Sequence, residues 1–196
     1  VVLEGRRVIN NIQRAASLFL MKTMYSSALA ALLLFVPLQY PFAPIHLTLI
    51  GAVASGIPGV VLALEPNFRR VSKDFMSSVL KRAAAGAVTI FCGVVFAMAF
   101  GKYLGITEDE ISTICVIFTG ISSLVTLLCS CLPLSVLKGC LVAACTAIFA
   151  VGVLIFDKLF MLVPLGTAAL IMLLAMLPFT VIQYFIRSDS LRKNKV

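Results

Sequence analysis

The stretch "LTLIGAVASGIPGVVLALEPN", residues 47–67, decides how the rest of the chain is read. It is long and apolar enough to cross a bilayer as a helix. Yet it carries Gly51, Ser55, Gly56, Pro58 and Gly59 in its middle. Pro58 has no N–H to give to a helix ladder, and its ring crowds the turn before it. The carbonyl of Ala54, four residues earlier, is therefore expected to lose its partner. In lipid an unpaired carbonyl is costly, so such a break survives only where it is packed in protein or lines a hydrated cavity. Freed carbonyls are good ligands for hard cations, and interrupted helices frame ion sites in transporters. Gly51, Ser55 and Gly59 also recur every four residues, a small-residue stripe that lets another helix approach closely. The two readings are compatible, because a close-packed, unwound helix at the centre of a bundle does both jobs.

The rest of the chain sets this segment in a membrane. Its 196 residues are 61% hydrophobic and 12% charged, with a mean hydropathy of +1.11. A soluble domain carries about twice that charged fraction. The apolar residues run in blocks that predict six spans, roughly 15–38, 44–64, 80–101, 110–132, 135–156 and 160–186. Continuous apolar runs lack the alternation of a membrane barrel, so the expected fold is an all-α integral membrane protein. Six transmembrane helices are expected, the second interrupted by Gly56-Ile57-Pro58. The first span is too long for a signal peptide and lacks a small-residue cleavage pattern. Residues 1–14 then read as a stalk, 15–186 as the six-helix transmembrane domain and 187–196 as a basic tail.

The formal net charge of +8 is a matter of topology rather than of nucleic-acid binding. With the spans set in alternating order, all of the Lys and Arg except Lys22, Lys102 and Lys158 fall on one side. That bias marks the cytoplasmic side, so both termini are expected to be cytoplasmic. Glu108, Asp109 and Glu110 fall on the other side.

Few residues invite chemistry. The six cysteines lie in or at the ends of spans and read as small packing residues; Cys129 and Cys131 are a weak soft-metal pair. The one histidine, His46, reads as interfacial. The first span is richer, placing Lys22, Thr23, Tyr25, Ser26 and Ser27 in an apolar run. Lys22 and Ser26 share one helical stripe, Thr23 and Ser27 the next. Lys22 has two readings: it snorkels toward Arg14 and the interface, or it faces inward as a functional intramembrane charge. Thr119, Ser122, Ser123 and Thr126 form a polar patch in the fourth span, where Ser and Thr usually bond their own backbone.

Two motifs carry a resemblance. Glu4-Gly5-Arg6, followed by Asn11 and Ile12, is similar to the stretch that leads from the phosphorylation domain into the fifth membrane helix of P-type (E1–E2) cation-transporting ATPases. Ser55-Gly56-Ile57-Pro58, followed by Glu65-Pro66, is similar to the break in their sixth helix. The spacing between the two motifs looks ungapped against the calcium pumps. They cover roughly the first seventy residues; the other four spans agree only in number and orientation.

The resemblance implies the C-terminal membrane portion of such a pump. It lacks "DKTGT", "TGES" and "GDGxND" motifs, so ATP and Mg2+ are expected to bind elsewhere in a parent protein, and no cofactor in this chain. The implied partners are the bilayer, a transported cation, and upstream actuator, nucleotide-binding and phosphorylation domains of the same polypeptide. The implied location is the plasma membrane of a bacterium. Residues matching the family's ion ligands are Thr23, Ser26, Gly51, Ala54 and Ser55. None is a carboxylate, and none of the eight acidic residues falls at mid-membrane.

The expected ion pathway is Lys22, Thr23, Ser26, Ser27, Ser55, Gly56 and Pro58. Metal contact is expected from Thr23, Ser26, Ser55 and the backbone of Ala54. Coupling to cytoplasmic domains falls to Glu4, Gly5, Arg6, Arg7 and Asn11. Lys22 matches a lysine of the gastric proton/potassium pump, which implies a built-in counter-charge. The basic loop 67–82 is expected to anchor topology and to dock on the phosphorylation domain. The rival readings are a free-standing six-helix carrier or channel, a packing scaffold, and a P-type pump moving a lipid or polyamine.

Overall fold

A computed structural model describes residues 2–65, 75–132 and 134–193, without the side chains at 78 and 188–193. The described residues are helical, with no strand. In chain order they form α1 (Val2–Leu33), α2 (Pro44–Gly51), a π-helical segment (Ala52–Gly56), α3 (Ile57–Leu64), α4 (Phe75–Tyr103), α5 (Glu108–Ser130), α6 (Val136–Leu154) and α7 (Thr167–Lys193). Taking α2, the π segment and α3 as one, six helices are long and apolar enough to cross a membrane. The protein is an integral membrane protein.

Span limits differ from the sequence reading where prolines intervene. α1 begins at Val2, so stalk and first span are one helix, and it stops at Leu33 rather than residue 38. Pro37, Pro41 and Pro44 follow, and a residue before proline is pushed out of the helical region. The last helix starts at Thr167, not 160, because Pro164 and Gly166 hold residues 162–166 out of helix. It then continues through the inward end of the expected tail to Lys193. Pro66 and residues 67–74 of the basic loop lie outside the described residues, as do 194–196 of the tail.

α5 is the most enclosed helix, with α4, α6 and α7 around it and α2 and the π segment on a further side. Two glycines explain its close contacts. A Cβ at Gly93 of α4 would overlap the Phe118 ring of α5, and a Cβ at Gly120 of α5 would overlap the Phe149 ring of α6. Each ring fills the hole a missing side chain leaves, which is how apolar helices gain packing energy without a hydrophobic drive. α5 also starts with a capping box absent from the sequence reading. Thr107 Oγ1 accepts from the Glu110 N–H at 3.3 Å, and Glu110 Oε2 accepts from the Thr107 N–H at 3.1 Å. The other oxygen, Glu110 Oε1, accepts from the Gly166 N–H at 2.8 Å, tying the entry of α7 to the start of α5. Gly105, at φ +69°, supplies the turn before this cap.

Candidate ion pathway and its stalk junction

The broken span is not unwound: α2, the π segment and α3 run on without a gap. The ladder shifts to π-type bonding just before the proline: the Ile57 N–H reaches the Ala52 carbonyl, five residues back. Pro58 then falls in the first turn of α3, where a missing N–H costs nothing. Inserting a residue into the turn is a common way to absorb such a defect, and it recurs at functional sites. Ser55 Oγ donates to the Gly51 carbonyl at 3.0 Å, satisfying one acceptor at the bulge. Ser55 and Ala54 are buried, as is Pro58, whereas Gly56 is exposed.

The small-residue stripe faces α1. A Cβ at Gly59 would meet Phe19 Cε2 at 3.2 Å, and one at Gly51 would meet Lys22 Nζ at 2.8 Å. Lys22 itself donates to the Leu47 carbonyl at 3.2 Å. Of its two readings, the geometry is that of a lysine reaching across to the broken span, not along α1 toward Arg14. The missing side chain of Gly51 is what leaves room for the ammonium. Ser26 shares the Lys22 stripe and is half-buried. Thr23 and Ser27 are exposed, and Thr23 Oγ1 donates to its own helix at the Phe19 carbonyl. So Lys22, Gly51 and Ser55 come together, while Thr23 and Ser27 lie on the outer face of the bundle described here.

The stalk residues divide as sharply. Glu4, Gly5 and Arg6 are exposed, and Glu4 pairs with Arg7 at 3.0 Å one turn along the helix. Asn11 is buried, and its Nδ2 donates to the carbonyls of Ala63 (3.0 Å) and Glu65 (2.7 Å) where α3 ends. One amide thus holds two of the orphan acceptors every helix end leaves. Beside it stands an ion network the sequence reading missed. Glu65 accepts from Arg14 of α1 at 2.5 Å and from Lys138 of α6 at 2.8 Å, and all three side chains are at most 14% exposed. Burial opposes ionisation of Glu65, but the bonds and charges of Lys138 and Arg14 outweigh it and hold its carboxyl below the usual range. A lone carboxylate at the end of a span, among basic residues, was the available signal.

A second polar strip joins α5 to α7. Ser122 Oγ donates to Gln183 Oε1 at 2.5 Å, and Gln183 Nε2 donates to Thr126 Oγ1 (2.6 Å) and to the Ser122 carbonyl (3.2 Å). Arg187 continues the strip to Ser130. The sequence reading had Ser122 and Thr126 but not Gln183, although Ser122, Thr126 and Ser130 repeat every four residues opposite Gln183 and Arg187. Thr119 Oγ1 and Ser123 Oγ are buried without a partner among the described residues. No three His, Cys, Asp or Glu side chains cluster among the described residues. Cys129 and Cys131 are buried, and burial pushes the Cys131 thiol up to about 11.

No protein-family model matches the chain. Curated relatives do. It is 33% identical over 150 residues to a probable cation-transporting ATPase, exp7, of Streptococcus pneumoniae, covering 72% of this chain and 19% of that protein. It is 40% identical over 123 residues to the calcium-transporting ATPase CtpE of Mycobacterium bovis, and 34% identical over 182 residues to CtpE of Mycolicibacterium smegmatis. The last match covers 84% of this chain. The chain belongs to the P-type cation-transporting ATPases. It spans between 15% and 23% of the length of these relatives. For a P-type ATPase chain the two strongest sequence signals, the stalk motif around Asn11 and the break before Pro58, are thus one structural unit: α1 packed on α2, the π segment and α3.

Proposed function

We propose that this chain forms the ion pathway of an ATP-driven cation pump, with ATP binding and phosphorylation carried out by domains of the same polypeptide outside these residues. The observation that carries the reading is the Lys22 ammonium, bonded to the Leu47 carbonyl and lying in the space Gly51 leaves beside the π segment. An ionisable side chain reaching a helix break inside an apolar bundle is a functional-site signal, and interrupted helices frame ion sites in transporters. Ser55, Ser26 and the Ala54 backbone are the proposed ion contacts; Thr23, on the outer face, is left out of them. CtpE is named for calcium; here no carboxylate lies at mid-membrane, so Lys22 as counter-charge lowers the positive charge the site accepts. The phosphorylation and nucleotide motifs are absent from these residues, so ATP and Mg2+ binding is assigned to the domains outside them.

The coupling follows from the stalk. A pull on α1 is carried by Asn11 and Arg14 to Glu65 at the end of α3, while Lys22 holds α2. The two halves of the broken span then shift against each other about Ala52–Gly56. In this reading both termini are cytoplasmic, in keeping with the charge bias, and the membrane is a bacterial plasma membrane. The test is an antibody against the tail "RSDSLRKNKV" applied to source membranes. We expect a band several times larger than 21.0 kDa, phosphorylated by ATP and blocked by vanadate. A band at 21.0 kDa with no phosphoenzyme, and flux independent of ATP, overturns the reading in favour of a free-standing carrier. In the intact pump Lys22→Ser is expected to change ion affinity or stoichiometry; no change removes Lys22 from the pathway.

A further inference from the structure

We propose that Arg187 and Arg82, with Ser130, bind a phosphate oxyanion at the basic end of the bundle, presented by the headgroup of an anionic phospholipid. Arg187 is only 4% exposed. A guanidinium stays charged in any protein setting, and a buried charge is costly unless paired. Yet both bonds of Arg187 go to neutral acceptors: Nη2 to Ser130 Oγ at 2.7 Å and Nη1 to the Arg82 carbonyl at 3.1 Å. Three of its five N–H donors have no partner among the described residues. The Arg82 guanidinium makes no hydrogen bond or ion pair with them either, and it lies within Coulombic reach of Arg14 and Arg187. Among the described residues, the carboxylate of this corner, Glu65, is already shared by Arg14 and Lys138.

Among the described residues the remaining negative charge is too small. Ser130 is the last residue of α5, and a helix C-terminus offers roughly half a unit charge, against two guanidiniums. What fits is an anion with several acceptor oxygens, since the planar arginine fork matches phosphate in bidentate fashion. The place favours a lipid. Arg187 closes the candidate span of α7, Ser130 ends α5, and Arg82 lies near the start of α4. Three helices therefore meet where headgroups lie.

The experiment uses the full chain in nanodiscs of neutral phosphatidylcholine, titrated with phosphatidylglycerol, with thermal unfolding and native mass spectrometry as readouts. We expect phosphatidylglycerol to raise the unfolding temperature and to be retained on the protein. Arg82→Gln should weaken its retention by about tenfold or more, the scale of a lost charge-assisted bond. Lys158→Gln, at the other end of the bundle, should not. Arg187→Gln should do the same as Arg82→Gln if it folds; Arg82→Gln carries the test if it does not. The same Arg82-dependent stabilisation by inorganic phosphate in neutral discs would support the oxyanion site with a free ion as its source. No stabilisation by either, or equal losses from Arg82→Gln and Lys158→Gln, overturns the proposal.

Discussion

Two polar strips run between helices here, and they are built on opposite plans. Between α5 and α7 the partners are mostly side chains: Gln183 takes the Ser122 and Thr126 hydroxyls with the two ends of its amide, and adds the Ser122 carbonyl. Between α1 and the broken span the acceptors are mostly backbone: Lys22 takes Leu47, and Asn11 takes Ala63 and Glu65. A side-chain pair fixes one register, because any slide breaks it with nothing to replace it. A carbonyl recurs at every residue, so an amine or amide can pass from one to the next with little loss. The first plan suits a scaffold. The second suits a joint that changes state, and among the described residues its fixed point is the ion network at Glu65.

Removing that fixed point should have the largest effect. Glu65→Gln removes the carboxylate charge that Arg14 and Lys138 share. Breaking a buried pair costs about 3–5 kcal/mol; with slight exposure we expect about 3, read by unfolding of the purified chain in detergent. pH offers the same cut without mutation. The folded carboxyl titrates below its unfolded value, so its contribution is complete above about pH 4.5 and fades as pH falls through the folded value. Glu65→Gln should flatten that acid limb; an unchanged limb would mean other carboxylates govern it.

The seam comes next. Gln183→Leu should destabilise by about 1–2 kcal/mol, near the upper end for hydrogen bonds between membrane helices. Ser122 and Thr126 can fall back on their own helix carbonyls, and Thr126 already bonds the Ser122 carbonyl at 3.0 Å. A loss equal to that of Glu65→Gln would erase the contrast between scaffold and joint.

What the sequence could say about these regions follows from how each is made. The spans were legible because apolar length is a local property, and the break was legible because Pro58 and its glycines are. The form of the break was not: whether a proline gap opens or is absorbed as a π turn depends on packing from α1. Lys22 showed that it was out of place, but not which way it pointed, since that depends on the hole at Gly51 in another helix. Glu65 and Gln183 were missed for the same reason. Their partners lie 51 and 61 residues away, and only the fold brings them together.

The smallest expected effect probes the joint most directly. Gly51→Ala puts a methyl where Lys22 Nζ lies at 2.8 Å, whereas Gly139→Ala meets nothing within 4 Å. On helix propensity alone each change should stabilise by about 1 kcal/mol. At Gly139 that gain should appear in full. At Gly51 it should be cancelled by displacement of the ammonium, leaving a net change near zero. The displaced amine would then become more reactive to reductive methylation, scored by mass spectrometry at Lys22. If Gly51→Ala stabilises as much as Gly139→Ala and Lys22 reactivity stays put, the lysine does not occupy the break. The joint would then rest on Asn11 and Glu65 alone.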